Sequence, residues 1–127
     1  MSPAAAAGQP PRAWPEELRL RDQGKVLTVT FDNGERHDLA AEYLRVESPS
    51  AEVKGHGPGQ EVTVPGKSHV TITHLEPVGN YAVRLMFSDG HSTGLYSWDY
   101  LAKLGREQEN LWTAYLDRLK QHGLSRD

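Results

Sequence analysis

Val26-Leu27-Thr28-Val29-Thr30-Phe31-Asp32-Asn33-Gly34-Glu35-Arg36-His37-Asp38-Leu39 is the stretch that decides the fold. Leu27, Val29 and Phe31 alternate with Val26, Thr28 and Thr30, the period of a half-buried strand, and Asp32-Asn33-Gly34 supplies a turn. The loop length follows from which residues reach the apolar face. A two-residue Asn-Gly loop would pair Phe31 with Arg36 and put Arg36 and Asp38 there. A three-residue loop, with Gly34 left-handed in a bulge, pairs Phe31 with Glu35 and puts His37 and Leu39 there instead. The second arrangement is expected.

Further along, Tyr81, Val83, Leu85 and Phe87 alternate with Ala82, Arg84 and Met86. Ser88-Asp89-Gly90 turns the chain, and His91, Thr93 and Leu95 are expected to return on the apolar face. Phe31, Gly34 and Leu39 align with Phe87, Gly90 and Leu95 at one offset, and Tyr43-Leu44 aligns with Tyr100-Leu101 after one inserted residue. Either a strand-turn-strand-helix unit is duplicated, or two independent hairpins obey the same turn chemistry.

Residues 1–15, rich in Ala, Pro and Gly, are expected to form a disordered tail, with the fold beginning near Glu16. Leu18-Arg19-Leu20 starts a strand before the turn at Asp22 to Gly24, and Ala40 to Leu44 has helical spacing. Lys54 to Ser68 carries Gly55, Gly57, Pro58, Gly59, Pro65 and Gly66 and reads as an irregular loop. Val70 and Ile72 restart a strand that ends near Pro77. Ser97 is placed to cap a helix from Trp98 to Leu104, with Gly105 at its end. Residues 106–122 read as a longer helix, because Leu111, Trp112, Tyr115, Leu116 and Leu119 share a stripe and Gly123 supplies a stop. That stripe requires a partner, in the same chain or another.

A chain of 127 residues suits one domain with tails. Fourteen basic against seventeen acidic residues give a net charge of −3, so no nucleic-acid or anionic-membrane partner is expected. With no cysteine, disulfides, thiolate metal sites and cysteine nucleophiles are excluded together. No basic stretch precedes Ala4 to Ala7, and no run approaches the ~20 apolar residues of a membrane span, so a soluble cytoplasmic protein is expected.

Pro65-Gly66-Lys67-Ser68 resembles the end of a phosphate-binding loop, but Glu61 stands where the leading glycine belongs and a strand, not a helix, should follow. A turn with an exposed lysine is the better reading. The histidines are badly spaced for chelation. His69 and His74 are read as lying five apart in one strand, which points them to opposite faces. His56 sits in the glycine-rich loop, His122 at a helix end and His37 near the core. No Gly-x-Ser-x-Gly, His-Glu-x-x-His or helix-opening Gly-x-Gly-x-x-Gly occurs, so no nucleophilic, zinc or dinucleotide chemistry has a motif behind it.

Three segments carry a family resemblance: Tyr43-Leu44-Arg45 through Gly57, Glu76-Pro77-Val78-Gly79-Asn80-Tyr81-Ala82-Val83, and Phe87-Ser88-Asp89-Gly90-His91 through Tyr96-Ser97-Trp98-Asp99-Tyr100-Leu101. From Leu18 to Gly105 the chain resembles the DUF971, or gamma-butyrobetaine hydroxylase-like N-terminal domain, family. In the carnitine-biosynthetic hydroxylases that domain holds a structural zinc with three cysteines and a histidine, ahead of an iron and 2-oxoglutarate dioxygenase domain. The resemblance places the cysteines at Ser48, Ser50 and Val53 and the histidine at His91. It therefore implies the zinc frame without the metal, since serine hydroxyls are poor zinc ligands and valine is none. His91 is then expected to bond locally, to Ser48 or Ser50. Related domains also look fused to Mrp-type P-loop ATPases that carry iron–sulfur clusters, which implies a partner-facing role near cluster assembly.

The reading that follows is an α+β domain over residues 16–105. Antiparallel hairpins would form one small twisted sheet or two, with short helices and a helical extension over 106–127. Its expected function is non-catalytic protein binding or adaptor work, with no cofactor and with a Mrp-type carrier as candidate partner. The expected face comprises Arg45, Ser48, Ser50, Glu52, His56, Asp89, His91 and Trp98. Metal binding by His91 with other histidines or carboxylates is the alternative, and an enzyme with an unrecognised small-molecule site a third.

Overall fold

The computed structural model describes residues 14–55 and 61–127, in which two three-stranded antiparallel sheets are each followed by a helix. The first sheet holds β1 (Pro15–Arg21), β2 (Val26–Phe31) and β3 (Arg36–Ala40) and runs into α1 (Ala41–Val46). A one-turn helix, α2 (Ala51–Lys54), follows. The second sheet holds β4 (Ile72–Val78), β5 (Ala82–Phe87) and β6 (Leu95–Ser97) and runs into α3 (Trp98–Arg106), and α4 (Gln108–Gln121) comes last. This is the expected α+β class, in its two-sheet form.

The first hairpin has the bulged three-residue turn. Phe31 donates its N–H to the Glu35 carbonyl at 2.8 Å, Gly34 donates to the Phe31 carbonyl at 3.1 Å, and Gly34 sits at φ 93°. Val29 therefore faces His37 and Leu27 faces Leu39, as the polarity pattern required. The second turn repeats it: Phe87 donates to His91 at 2.9 Å and Gly90 to Phe87 at 3.0 Å.

Beyond that turn the expectation fails. A ladder continued from Phe87 and His91 would set Val83 against Leu95, yet Val83 faces Tyr96 and Arg84 faces Leu95. One extra residue is taken up over residues 92–94, and such a slip moves every later side chain to the other face. Tyr96 is consequently buried while Thr93 and Leu95, 39% exposed, point outward. Leu95 is thus no counterpart of the buried Leu39.

The two halves are nevertheless related. Tyr43 of α1 donates its hydroxyl to the Leu104 carbonyl of α3 at 2.7 Å, and Tyr100 of α3 donates to the Glu47 carbonyl after α1 at 2.5 Å. Tyr43 and Tyr100 are 57 positions apart, as are Glu47 and Leu104, so the two bonds exchange under one swap of halves. Two glycines follow the same swap. A Cβ at Gly105 would fall on the His37 ring, and one at Gly94 would stand 2.6 Å from Ser48 Oγ. Each strand-to-helix crossing accommodates one side chain, His37 in one and Ser48 in the other, and a glycine opposite it.

Leu27, Val29, Phe31, Leu39, Leu44, Val83, Leu85, Phe87, Tyr96, Leu101 and Leu104 form one core shared by both sheets, α1 and α3. Three further expectations are corrected here, and one open alternative is resolved. Trp14 and Pro15 belong to the fold, because Trp14 exchanges backbone and side-chain hydrogen bonds with Asp32 and an edge strand tolerates Pro15 at its start. Gly105 does not end a helix; it lies inside α3, where the His37 ring leaves no room for a side chain. His69 precedes β4 and is not in that strand with His74. Finally, α4 packs within its own chain: Tyr115 and Leu119 bury against Val46 and Val64, while Leu116 stays exposed. Gly123, at φ 65°, and the Leu124 N–H to Leu119 carbonyl bond of 2.8 Å stop α4 in Schellman fashion.

Candidate functional site

The chain leaves α1 through Ser48-Pro49-Ser50, where each serine is committed to a local bond. Ser50 caps α2, its hydroxyl accepting the Glu52 N–H at 3.2 Å, and the Ser48 hydroxyl accepts the Ser50 N–H at 3.2 Å. Across from them stands the second hairpin turn. Asp89 Oδ1 accepts the His91 N–H at 3.0 Å, fixing the turn. His91 Nε2 then lies 2.9 Å from Ser48 Oγ, and Ser50 Oγ lies 2.7 Å from Thr93 Oγ1. Thr93 in turn donates to Glu52 at 3.1 Å. Hydrogen bonds thus tie together the corner at which the family resemblance sets a zinc ion.

His91 is buried, its side chain only 2% exposed. Its Nδ1 has no hydrogen-bond partner and lies 3.4 Å from Glu52 Oε1. Burial, and then the charge of Arg45, lower its pKa from the usual 6.5, while the carboxylates of Glu52 and Asp89 oppose the shift. The imidazole is therefore neutral at neutral pH.

A charged cluster adjoins this corner. Arg45 Nε and Lys67 Nζ each stand 2.7 Å from Asp89 Oδ2. Burial disfavours the Asp89 carboxylate, but hydrogen bonds from Lys67, the His91 amide and Arg45 outweigh it and hold its carboxyl well below the usual range. Lys67 is therefore not the exposed turn lysine that its sequence context suggested; its side chain is 21% exposed and fixed. Because β4 follows it, no phosphate-loop helix exists there.

Of the expected residues, the fold gathers Arg45, Ser48, Ser50, Glu52, Asp89 and His91. Trp98 is not among them. It is buried in the core, its indole N–H donates to the Asn80 carbonyl at 2.8 Å and its amide to Tyr81, at the opposite end of β5 from Asp89. His56 lies outside the described residues. Lys67 and Thr93 join the site without having been foreseen. Thr93 is turned outward by the slip after His91, and neither residue is signalled by its own segment.

The donor set does not suit the zinc that the related hydroxylase domains hold at this corner. Val53, at the third cysteine position, is an apolar side chain in the interior, and both serine hydroxyls are already engaged. Among the described residues, no three His, Cys, Asp or Glu side chains are grouped as a metal ion requires.

A family model described as "Gamma-butyrobetaine hydroxylase-like, N-terminal" matches residues 18–102. Two structures solved by NMR in solution are 44% and 45% identical to the chain, with TM-scores of 0.79 and 0.78. The first match covers 92% of each chain; the second covers 99% of this chain and 90% of the other. A crystal structure of a protein of unknown function of the DUF971 family, from Acidithiobacillus ferrooxidans ATCC 23270, is 40% identical with a TM-score of 0.62, over 76% of this chain and 98% of that one. No curated protein matches. None of the helices in the described residues is long and apolar enough to cross a membrane.

Proposed function

We propose that this chain, which belongs to the gamma-butyrobetaine hydroxylase-like, N-terminal family, is a non-catalytic binding module that works as an adaptor. The observation that supports this reading is the Arg45–Asp89–Lys67 cluster. Three segments distant in sequence, α1, the 65–68 loop and the β5–β6 turn, bring two cations onto one carboxylate at a partly exposed surface. The Glu52 carboxylate stands at the adjoining corner with the Ser50 and Thr93 hydroxyls, so two cations and two carboxylates meet there. Such a patch suits a charged, polar surface on a protein partner, because the serine and threonine hydroxyls are bonded within the chain and the unpartnered His91 Nδ1 is buried.

The partner we propose is a Mrp-type iron–sulfur carrier ATPase, supported by the fusion of related domains to such proteins. Binding of the purified chain to the purified ATPase from the same cell, measured by biolayer interferometry, tests the pair. The expected result is saturable binding that Lys67→Glu weakens by about tenfold or more, the usual loss on reversing an interfacial charge. Absence of binding, or binding that Lys67→Glu leaves unchanged, contradicts the proposal. Saturable zinc or iron binding that shifts the His91 ring signals would instead favour the metal alternative, whose support is the unpartnered Nδ1 beside Glu52.

A further inference from the structure

Away from that face, Glu42 of α1 is a carboxylate kept only 7% exposed. Arg126 meets it with a planar fork, Nε to Oε2 at 2.8 Å and Nη2 to Oε1 at 2.7 Å. The same guanidinium lies over the Trp112 ring, 5.4 Å from its centroid. Two walls are therefore matched to one chemical group: an acceptor pair and an aromatic face.

The contact does more than close a gap. A recess of about 700 Å³ opens beside it, bordered by Glu42, Tyr43, Arg106, Gln108, Trp112 and Arg126, so space remains for a second chain to reach the same carboxylate. The segment carrying Arg126 is lightly held. Ser125 accepts from the Gly66 N–H at 3.0 Å, Arg126 accepts from the Ser68 N–H at 3.0 Å, and the Ser68 hydroxyl bonds Asp127. Leu124 is 40% exposed and gives it little apolar anchorage. Segments with so few buried contacts open at small free-energy cost.

We infer that the recess between α1 and α4 is a guanidinium-binding site, occupied in cis by Arg126 and able to take an arginine side chain of a partner protein when residues 124–127 lift away. Once vacated, Glu42 is a carboxylate without its cation beside the Trp112 face, a state that favours refilling by a guanidinium. A guanidinium suits it better than an ammonium does, because only the planar fork bonds both oxygens while stacking on Trp112. Arg126 competes from the same chain at high effective concentration, so the partner's arginine must be presented by a docked surface. This inference does not rest on the adaptor reading, although residues 125 and 126 bond the 65–68 loop that carries Lys67.

N-acetyl-arginine amide is the probe, titrated into the full-length chain and into Arg126→Ala, with the Trp112 indole ¹H–¹⁵N signal as readout. Arg126→Ala is expected to bind it saturably and about tenfold or more tighter than the unmodified chain, in which the cis arginine competes. N-acetyl-lysine amide should bind about tenfold or more weaker, and Glu42→Gln combined with Arg126→Ala should not respond. If Arg126→Ala is too unstable for NMR, Arg126→Met keeps the aliphatic stem, and the arginine probe should raise its thermal midpoint where the lysine probe does not. An unmoved indole signal in folded Arg126→Ala overturns the inference. So do equal responses to the two probes, or a response that survives the loss of the Glu42 charge.

Discussion

Gly105 and Gly94 show how much of this fold is set by single side chains. Gly105 has ordinary helical geometry, so alanine there would favour the helix by itself, yet its Cβ would collide with the His37 ring. Gly105→Ala should therefore destabilise the chain by about 1–3 kcal/mol, as overpacking does, and the loss should largely vanish in a His37→Ala background. Urea denaturation of the two single variants and the double variant measures that coupling; a loss of the same size with and without the ring would refute the contact. His91 gives a second prediction. Its folded pKa is depressed, first by burial, so on acidification the unfolded chain takes up a proton before the folded one does. Stability should fall as pH drops through about 6.5, and the fall should be smaller in His91→Gln when urea midpoints at neutral and mildly acidic pH are compared. Equal pH dependence in both chains would show that His91 titrates freely.

Each hairpin carries its own instructions, and for that reason both were legible in the sequence. Phe31 with Gly34, and Phe87 with Gly90, fix loop length and register through contacts of neighbours in the chain. The register of β6 was not legible, because the slip before it brings Gly94 against Ser48, a residue from the other half, where a side chain would not fit. The same distinction runs through the candidate site. Family resemblance set His91 against Ser48 or Ser50, whereas Lys67 reaches Asp89 only once the 65–68 loop is folded back, and Trp98 was misplaced because its aromatic character suits a core as well as an interface. The reciprocal tyrosines are the clearest link between elements. Tyr43→Phe and Tyr100→Phe each remove a donor from a helix-end carbonyl, and each should lower stability by about 1 kcal/mol. Thermal or urea unfolding of the two variants should give matched losses. A neutral Tyr100→Phe beside a costly Tyr43→Phe would show that the swap relation is geometric only.

At the scale of the whole molecule, two strand-strand-strand-helix units share one core, and α4 closes over α1 through Tyr115 and Leu119. Where the family resemblance sets a zinc ion between the units, this chain has Ser48 against His91, Ser50 against Thr93, and Arg45 with Lys67 on Asp89. We propose that these bonds and the apolar core position the corner without a metal ion. The thermal unfolding midpoint of the purified chain, measured with and without a strong metal chelator, tests it most directly. The same midpoint is expected in both; a clear drop on chelation, restored by zinc or iron, would contradict metal-free positioning of the corner.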